Sequence, residues 1–586
     1  MFRKIILWQS LLAALVFVAF QPALKNNFTN WDDPKYVTAN PLIRNLGPEG
    51  VKEIFTTFHH GAYKPLVLLS FAVNYRLSGF TPLPYYAVNI LLHCVNVLLV
   101  LGLLIRLGLD LRAAVVAAAL FAVHPLRVES VAWITERKDL LFALFFLVSL
   151  RAYLSYLDRG KKLFLIFSLF AFLLSLISKP QGVTLPLFLL LIDYYRRRPN
   201  LRRVIAEKVP FLITAAFFLI LNLIAWRNFV AGLSPGTENL LKAERIVIPA
   251  WGIGFYLLKT IFPFRLSAFY PYPQLNLTAL VIAAFALPLV ILVMLSFRRR
   301  DIFFGGAFFL LALAPVLQIL PLGPAAVADR YTYIPTIGLF FIVGTAVSRS
   351  SRRPGFAGAQ RIFLLVVAAG VIVSLVLASR VRCLVWRDSL ALWNDVLEKY
   401  PDTDLALNNR GLAWAERGEW RRAIADYDRA LELQPYSHHP YINRGNAWAA
   451  LGYLELARED FSRAIVLNPR AARAFANRGN IYQQLGMPAE AGADYIRALE
   501  LVPRDPKTYF NRGLLHLDTG RPDLAQDDFT RVLELDPAAD VYYYRGKAFL
   551  VLGDLPRARE DFNQALRLKP GWDLPRRALE VMGVSR

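Results

Sequence analysis

From Asn409 onward the same residues return every 34 positions: Asn409, Asn443, Asn477 and Asn511; Gly411, Gly445, Gly479 and Gly513; Pro435, Pro469, Pro503 and Pro537. A fifth copy slips by one residue, giving Gly546 and Pro570. In each copy an alanine (Ala423, Ala457, Ala491, Ala525, Ala558) precedes by four positions an aromatic (Tyr427, Phe461, Tyr495, Phe529, Phe562). A small residue lets paired helices approach closely, and a ring four positions on fills the space between them. Such a unit cannot bury its apolar face alone, so neighbouring copies must stack into an α-solenoid. A further second helix, Ser389 to Tyr400, lies one period upstream, and Leu574 to Met582 is expected to cap the far end. The array is therefore expected over residues 387–586.

This pattern is similar to the tetratricopeptide repeat, which implies a superhelix with Asn409, Asn443, Asn477 and Asn511 on its concave face. Amides in a row can bind the backbone of an extended peptide. The same Asn-Arg-Gly also serves to pack the first helix of each repeat, and the sequence leaves both roles open. In either case the expected partner is a protein.

The first two thirds of the chain are of another kind. Hydrophobic residues make up 56% of the 586, more than an array of short amphipathic helices can hold, so most of this part is expected in lipid. The formal charge is +23, yet residues 387–586 carry 28 Lys and Arg against 29 Asp and Glu, which leaves +24 before them. Basic residues beside apolar runs report membrane topology rather than a nucleic-acid surface, so no nucleic acid is expected as a partner. Eleven spans are expected: 5–24, 85–105, 113–131, 139–157, 162–178, 181–195, 206–226, 275–296, 302–320, 333–347 and 361–379. The first reads as a retained anchor rather than a cleaved signal. Two more apolar stretches, 64–77 and 246–262, are expected to be interfacial or re-entrant. With alternating spans, Arg3-Lys4, Arg106 to Arg112, Arg159 to Lys162, Arg196 to Arg203, Arg298 to Arg300 and Arg349 to Arg361 fall on one side, the cytoplasm. The repeats then lie on the far face, with Asp32, the 124–139 loop, Lys179 and Arg330.

Asp32 and Asp33 are adjacent carboxylates at the end of the first span. Two such charges do not both sit cheaply in a low dielectric; one is expected to be held by a cation or shifted in pKa, which suits a base or a metal-assisted transferase. An exposed Asp-Asp-Pro turn is the plainer alternative. The stretch His124 to Asp139 crowds His124, Arg127, Glu129, Glu136, Arg137, Lys138 and Asp139 between two spans, and Arg330 sits among aromatics in Ala328 to Pro335. Ionisable groups near membrane depth are expensive unless paired or facing a watery cavity, which makes them site candidates beside the alternative of a solvated loop. Cys94 and Cys383 lie in or beside apolar segments and supply neither a disulfide nor a thiolate metal site. No Gly-rich phosphate loop, zinc-protease motif or nucleophile elbow occurs. Chemistry on such a chain would draw its donor from the membrane.

Four motifs in order, Phe28-Thr-Asn-Trp-Asp-Asp-Pro34, His124-Pro-x-x-x-Glu129-Ser-Val-Ala-Trp-Ile-x-x-Arg137-Lys-Asp139, Ser178-Lys179-Pro-Gln-Gly-Val-Thr184 and Asp329-Arg-Tyr-x-Tyr-Ile-Pro335, resemble the transmembrane and tetratricopeptide-repeat O-mannosyltransferases and their bacterial relatives. Those belong to the GT-C superfamily of polytopic glycosyltransferases. The resemblance implies an all-α chain: a GT-C-type bundle over 1–386 and an extracytoplasmic repeat domain after it. It also implies a polyprenyl-phosphate-linked sugar as donor, with Asp32 or Asp33 as base toward an acceptor hydroxyl or as ligand to a divalent cation. In that picture Asn30, Trp31, His124, Glu129, Arg137, Lys138, Asp139, Tyr331 and Tyr333 line the substrate pocket, and Lys179 and Arg330 meet the donor phosphate. Relatives often carry an acidic residue after the Ser-Lys, where this chain has Pro180-Gln181, and this leaves metal use open.

The reading that follows is a bacterial inner-membrane enzyme transferring sugar to Ser or Thr of extracytoplasmic proteins presented by the repeats. Transfer to a glycan or lipid acceptor is the second reading. A membrane-tethered, non-catalytic scaffold is the third.

Overall fold

The computed structural model describes residues 2–230, 244–274, 276–318, 325–351 and 358–583. Among them every regular element is helical, and two isolated bridges, His59 with Ala62 and Tyr270 with Val327, are the extent of β pairing. The chain divides into two compact units, Met1–Pro401 and Asp402–Arg586. The helix Ser389–Lys399 thus goes with the first unit, although its sequence matches the repeats that follow.

Among the described residues of the first unit six helices are long and apolar enough to cross a membrane: Arg3–Lys25, Pro82–Arg106, Ile134–Arg159, Leu201–Arg227, Leu277–Arg298 and Val366–Val385. They fall on six of the eleven segments expected. Prolines interrupt several of the others. The 113–131 segment is no straight span but a pair, Leu111–Val123 and Pro125–Ala132, bent by 56° where Pro125 has no N–H for the helical ladder. Segment 181–195 divides into a turn, Pro180–Thr184, and a short helix, Leu185–Tyr195. Segments 162–178 and 333–347 form the shorter apolar helices Lys162–Leu176 and Thr336–Ser351. In 302–320 the helix Arg300–Leu313 passes into a tight turn at Ala314–Val316, and residues 319–320 lie outside the described ones, as do residue 275 and 352–357 of the last basic stretch. The two interfacial candidates form the helices Pro65–Ser78 and Glu244–Ile261.

The outward surface is apolar: Ile213, Phe217 and Ile220 are each about 60% exposed along one helix. An exposed apolar face of that size needs lipid or protein against it. The basic stretches meet at a common end, where Arg106 and Arg196 both face Asp158, Arg300 bonds the Tyr194 carbonyl and Arg349 pairs with Asp301.

In the second unit five helix pairs follow, from Asp404–Ala415 with Trp420–Leu433 to Ala539–Val551 with Leu555–Leu568, and Asp573–Val581 closes the row. The repeat glycine is explained by the ring it covers: a Cβ on Gly445 would come within 2.8 Å of Phe461, and one on Gly479 within 2.8 Å of Tyr495. A conserved geometry not anticipated from the spacing is an arginine–aspartate pair within each repeat. Arg410–Asp426, Arg444–Asp460, Arg478–Asp494, Arg512–Asp528 and Arg545–Asp561 join the two helices by forked hydrogen bonds of 2.6–2.9 Å.

Candidate active site

The two aspartates of the first loop have different surroundings. Asp33 is fully buried; one oxygen accepts from the Thr29 N–H (2.8 Å) and hydroxyl (3.0 Å), and the other accepts from the Thr135 hydroxyl. Burial pushes its pKa up to about 6 against the three hydrogen bonds, with the Asp32 charge adding to the rise. Asp33 therefore ties the loop to the 134–136 turn and has no oxygen left for a substrate. Asp32 is 24% exposed and paired with Lys35 at 3.0 Å. Burial raises its pKa, but Lys138, Lys35 and Arg330 outweigh it and hold the carboxyl at about 2. His59 and His60 lie within electrostatic reach of Asp32. Burial, the His60 ring and Lys64 bring His59 down to about 3, and His60 is lowered by burial and Lys35, so both rings are neutral at pH 7.

Beneath this loop lie three buried carboxylates and three cations. Arg330 forks onto Glu129 through its backbone N–H (2.8 Å) and its guanidinium, and its Nε stands 3.4 Å from Glu136. Lys138 pairs with Glu136 at 2.9 Å, and Lys179 pairs with Asp139. Cation–ring contacts hold the amines and the guanidinium in place. Lys138 lies 5.3 Å from the Tyr36 ring, Lys179 lies 5.6 Å from that of Tyr331, and Arg330 lies 4.9 Å from Tyr331 and 5.6 Å from Trp133. Among the described residues three acceptor atoms of the cluster stay without a hydrogen-bond partner, Asp139 Oδ2 and both Glu136 oxygens, of which Oε1 has only its ion pairs to Lys138 and Arg330. The kinks that assemble the cluster come from the sequence: Pro125 breaks one helix, Trp133 is extended between two turns, and Lys179 is extended before Pro180.

A cleft opens beside the cluster. Its polar end holds Asp139, Arg330 and Tyr331; its walls include Phe142, Phe146, Phe188 and Val316. Tyr333 also lines it, with its hydroxyl bonded to His93 Nδ1 (2.6 Å) and Asn96 (3.2 Å).

Of the residues singled out from the sequence, Asp32, Glu129, Lys138, Asp139, Lys179, Arg330 and Tyr331 meet in this region. Asn30 and Trp31 border it through the helix Ser389–Lys399. The Asn30 N–H donates to Ser389 Oγ (2.9 Å), Trp393 Nε1 donates to Asn30 Oδ1 (2.7 Å), and Trp31 stacks on Trp133 at 4.7 Å. His124 is elsewhere: its Nε2–H donates to the Thr260 carbonyl (3.0 Å) and its Nδ1 accepts from Leu126 N (3.3 Å), so it serves as a joint. Arg137 also turns away, toward Asn89, Asn74 and two backbone carbonyls. Thr29, Thr135 and Trp393 were not picked out for the site. Arg127, fully buried, donates to Thr332 and Thr336 and so fixes the segment bearing Arg330. A hydroxyl or ring that positions a charged group has no signature in spacing.

In the second unit the amides form a partly exposed ladder between repeats. Asn443 Nδ2 donates to Asn408 (2.9 Å), Asn477 to Asn446 (2.8 Å) and Asn511 to Asn480 (2.8 Å), while Asn409 accepts from Asn408 at 3.3 Å. Asn480, Gln483, Gln484 and Asn511 line an open depression.

Family models described as tetratricopeptide repeat or TPR repeat match residues 405–437, 445–486, 472–505 and 510–571. The second unit is a tetratricopeptide-repeat domain. The chain is similar to the protein O-mannosyl-transferase Tmtc1 of Drosophila melanogaster, 34% identical over 181 residues, which is 29% of this chain and 21% of that protein. It is likewise similar to the human protein O-mannosyl-transferase TMTC4, 33% identical over 207 residues, 30% of this chain and 28% of the relative. The matched part thus spans between about a fifth and under a third of these relatives. Among solved structures, YrrB, described as a TPR protein with an unusual peptide-binding site, aligns at 25% identity with a TM-score of 0.28, over 32% of this chain and 97% of its own.

Proposed function

We propose that the first unit is a GT-C-type glycosyltransferase of a bacterial inner membrane, and that it moves a sugar from a polyprenyl-phosphate carrier to Ser or Thr of extracytoplasmic proteins. The observation that carries this reading is the partly exposed, ionised Asp32 within electrostatic reach of Lys138 and Arg330, with Arg330 also at the polar end of an apolar cleft. The cleft's apolar walls and its Arg330 are the chemistry a prenyl phosphate needs, and the cleft, about 20 Å³ as it stands, widens to admit the chain. Asp32 takes the proton of the acceptor hydroxyl as its oxygen bonds to the anomeric carbon. The bond from that carbon to the phosphate oxygen breaks, and the charge gathers on the phosphate beside Arg330, Lys138 and Lys179. Attack opposite the leaving group inverts the anomeric carbon. The similarity to protein O-mannosyl-transferases supports a protein acceptor, and the amide ladder of the repeats is the surface offered to it.

A resident divalent cation does not fit these residues. Both Asp33 oxygens accept from threonines, Asp32 is paired with Lys35, and among the described residues no three His, Cys, Asp or Glu side chains converge on a metal position. The proposed topology has a cytoplasmic N-terminus and the repeats outside. The basic loops that meet at one end of the first unit support it.

The test is transfer in washed membranes supplied with polyprenyl-phosphate sugar, together with mass spectrometry of extracytoplasmic proteins. Asp32→Asn should abolish transfer, and deleting the gene should remove glycosylated Ser or Thr peptides. Full turnover by Asp32→Asn would overturn the assignment, and product on glycans alone would favour the second reading.

A further inference from the structure

Arg137 begins the long helix Arg137–Arg159 but does not share a face with the cleft. Asp139, Phe142 and Phe146 line the cleft, whereas Arg137, Leu141 and Phe145 line a second groove. At about 100° per residue these two triplets lie on separate faces of one helix, centred roughly 130° apart. The second groove is closed by the helix Pro65–Ser78, whose Val73 and Leu77 are 46% and 79% exposed.

At the floor the guanidinium of Arg137 is fully buried. It donates to Asn89 Oδ1 (2.9 Å), Asn74 Oδ1 (2.5 Å), the Ser70 carbonyl (3.2 Å) and the Tyr85 carbonyl (2.9 Å), and it lies 4.6 Å from the Phe71 ring. Every acceptor is neutral, and no carboxylate among the described residues pairs with Arg137. A buried cation with no counter-anion is costly, and neutral hydrogen bonds with an aromatic face offset that only in part. Asn74 also lines the groove; its Oδ1 is taken by Arg137, and its amide nitrogen has no partner among the described residues. Polarised by the arginine, that N–H pair extends the positive potential to the groove.

We propose that this groove seats an anionic bilayer phospholipid, its phosphate at the Asn74 amide over Arg137 and an acyl chain along Val73, Leu77, Leu141 and Phe145. The occupant is a bilayer lipid and not the sugar donor, because the groove lies behind the helix and none of Asp32, Glu129 or Arg330 lines it. The inference rests on the membrane reading of the first unit and not on the transferase reading. It gives the lipid a role: Lys138 and Asp139 follow Arg137 in the same turn, so a phosphate that steadies Arg137 steadies both.

The experiment uses the full chain purified in neutral detergent, with its melting temperature followed as phosphatidylglycerol or phosphatidylcholine is added. Phosphatidylglycerol is expected to raise the midpoint by about 5 °C, and phosphatidylcholine by far less. Asn74→Asp supplies the missing anion from within, so it should melt higher without lipid and gain nothing from phosphatidylglycerol. Asn74→Leu, which removes the donor, should also lose the response. Equal responses to the two lipids, or an undiminished rise in Asn74→Asp, overturn the proposal. Retention of the chain by membranes washed with carbonate checks the membrane reading separately; release would overturn both.

Discussion

Replacing the two loop aspartates one at a time should move stability in opposite directions. Asp33, with its pKa raised from 3.8 to about 6, binds its proton more tightly in the folded chain than in the unfolded one. Its contribution is therefore complete below about pH 4 and lost as pH rises through 6. At about 1.4 kcal/mol per decade, the displacement amounts to about 3 kcal/mol of cost at pH 7.5. Asparagine has the same shape and no charge. It can keep its oxygen on the Thr29 N–H and hydroxyl and donate to the Thr135 oxygen, so Asp33→Asn is expected to stabilise by up to about 3 kcal/mol at pH 7.5 and to change little at pH 4. Asp32, lowered from 3.8 to about 2, contributes stability that is present above pH 4 and lost as pH falls through 2. Asp32→Asn should cost about 2 kcal/mol at neutral pH, with the difference shrinking toward pH 2. The assay is the midpoint of thermal unfolding in detergent from pH 4 to 8 for wild type and both variants, alongside transfer activity. Under the proposed reaction Asp33→Asn keeps most of its turnover and Asp32→Asn none. An Asp33→Asn chain that is less stable than wild type by the same margin at pH 4.5 and pH 7.5 would refute the claim that desolvation dominates this carboxyl.

Three further outcomes follow from contacts already described. In the repeats, Gly479→Ala drives a methyl toward the Tyr495 ring at 2.8 Å and should cost about 2 kcal/mol in denaturant unfolding of residues 402–583. Arg478→Met leaves the mostly buried Asp494 without its forked partner and should cost about 2 kcal/mol in the same assay. Trp393→Phe removes the N–H given to Asn30 and should lower turnover by roughly tenfold with little change in melting temperature, because the loop bearing Asp32 loses one anchor of about 1 kcal/mol.

The sequence made the repeats legible almost to the residue, because a small residue facing a ring recurs with one period and each copy repeats the same packing problem. The six long helices were legible too, since about twenty apolar residues leave little choice in lipid. Segments 113–131 and 181–195 were not, for hydropathy averages over Pro125, Pro180 and Pro186 while the backbone cannot. At the site the charged residues stand out because their cost near a membrane is high. Which of them converge is decided by side-chain direction at helix ends, and this separates Arg137 from Lys138 and Asp139, its immediate neighbours. Asp33 and Asp32 differ for a similar reason. Their contrast depends on Thr29 and Thr135, two hydroxyls among many, and the second comes from a turn about a hundred residues away.

The three cations below Asp32 are already engaged, and this bears on how an anion could use them. Glu129, Glu136 and Asp139 balance Lys138, Lys179 and Arg330, so a lipid phosphate would enter a neutral cluster and not a positive one. Had the cations stood alone at this depth, their desolvation would have been unpaid and their side chains disordered. Paired with carboxylates, they are held in place, but each must loosen one bond as a phosphate arrives. Arg330 is suited to this, since its backbone N–H can keep Glu129 Oε2 while the guanidinium turns to the cleft. Lys179 shares Asp139 with the same cleft, and the second oxygen of Asp139 has no partner. A proton taken up there would release Lys179 without leaving a bare charge behind. Under the proposed reaction the cluster would therefore favour the state in which negative charge on the phosphate is greatest, the departing carrier phosphate, over the bound diester, and that difference would lower the barrier.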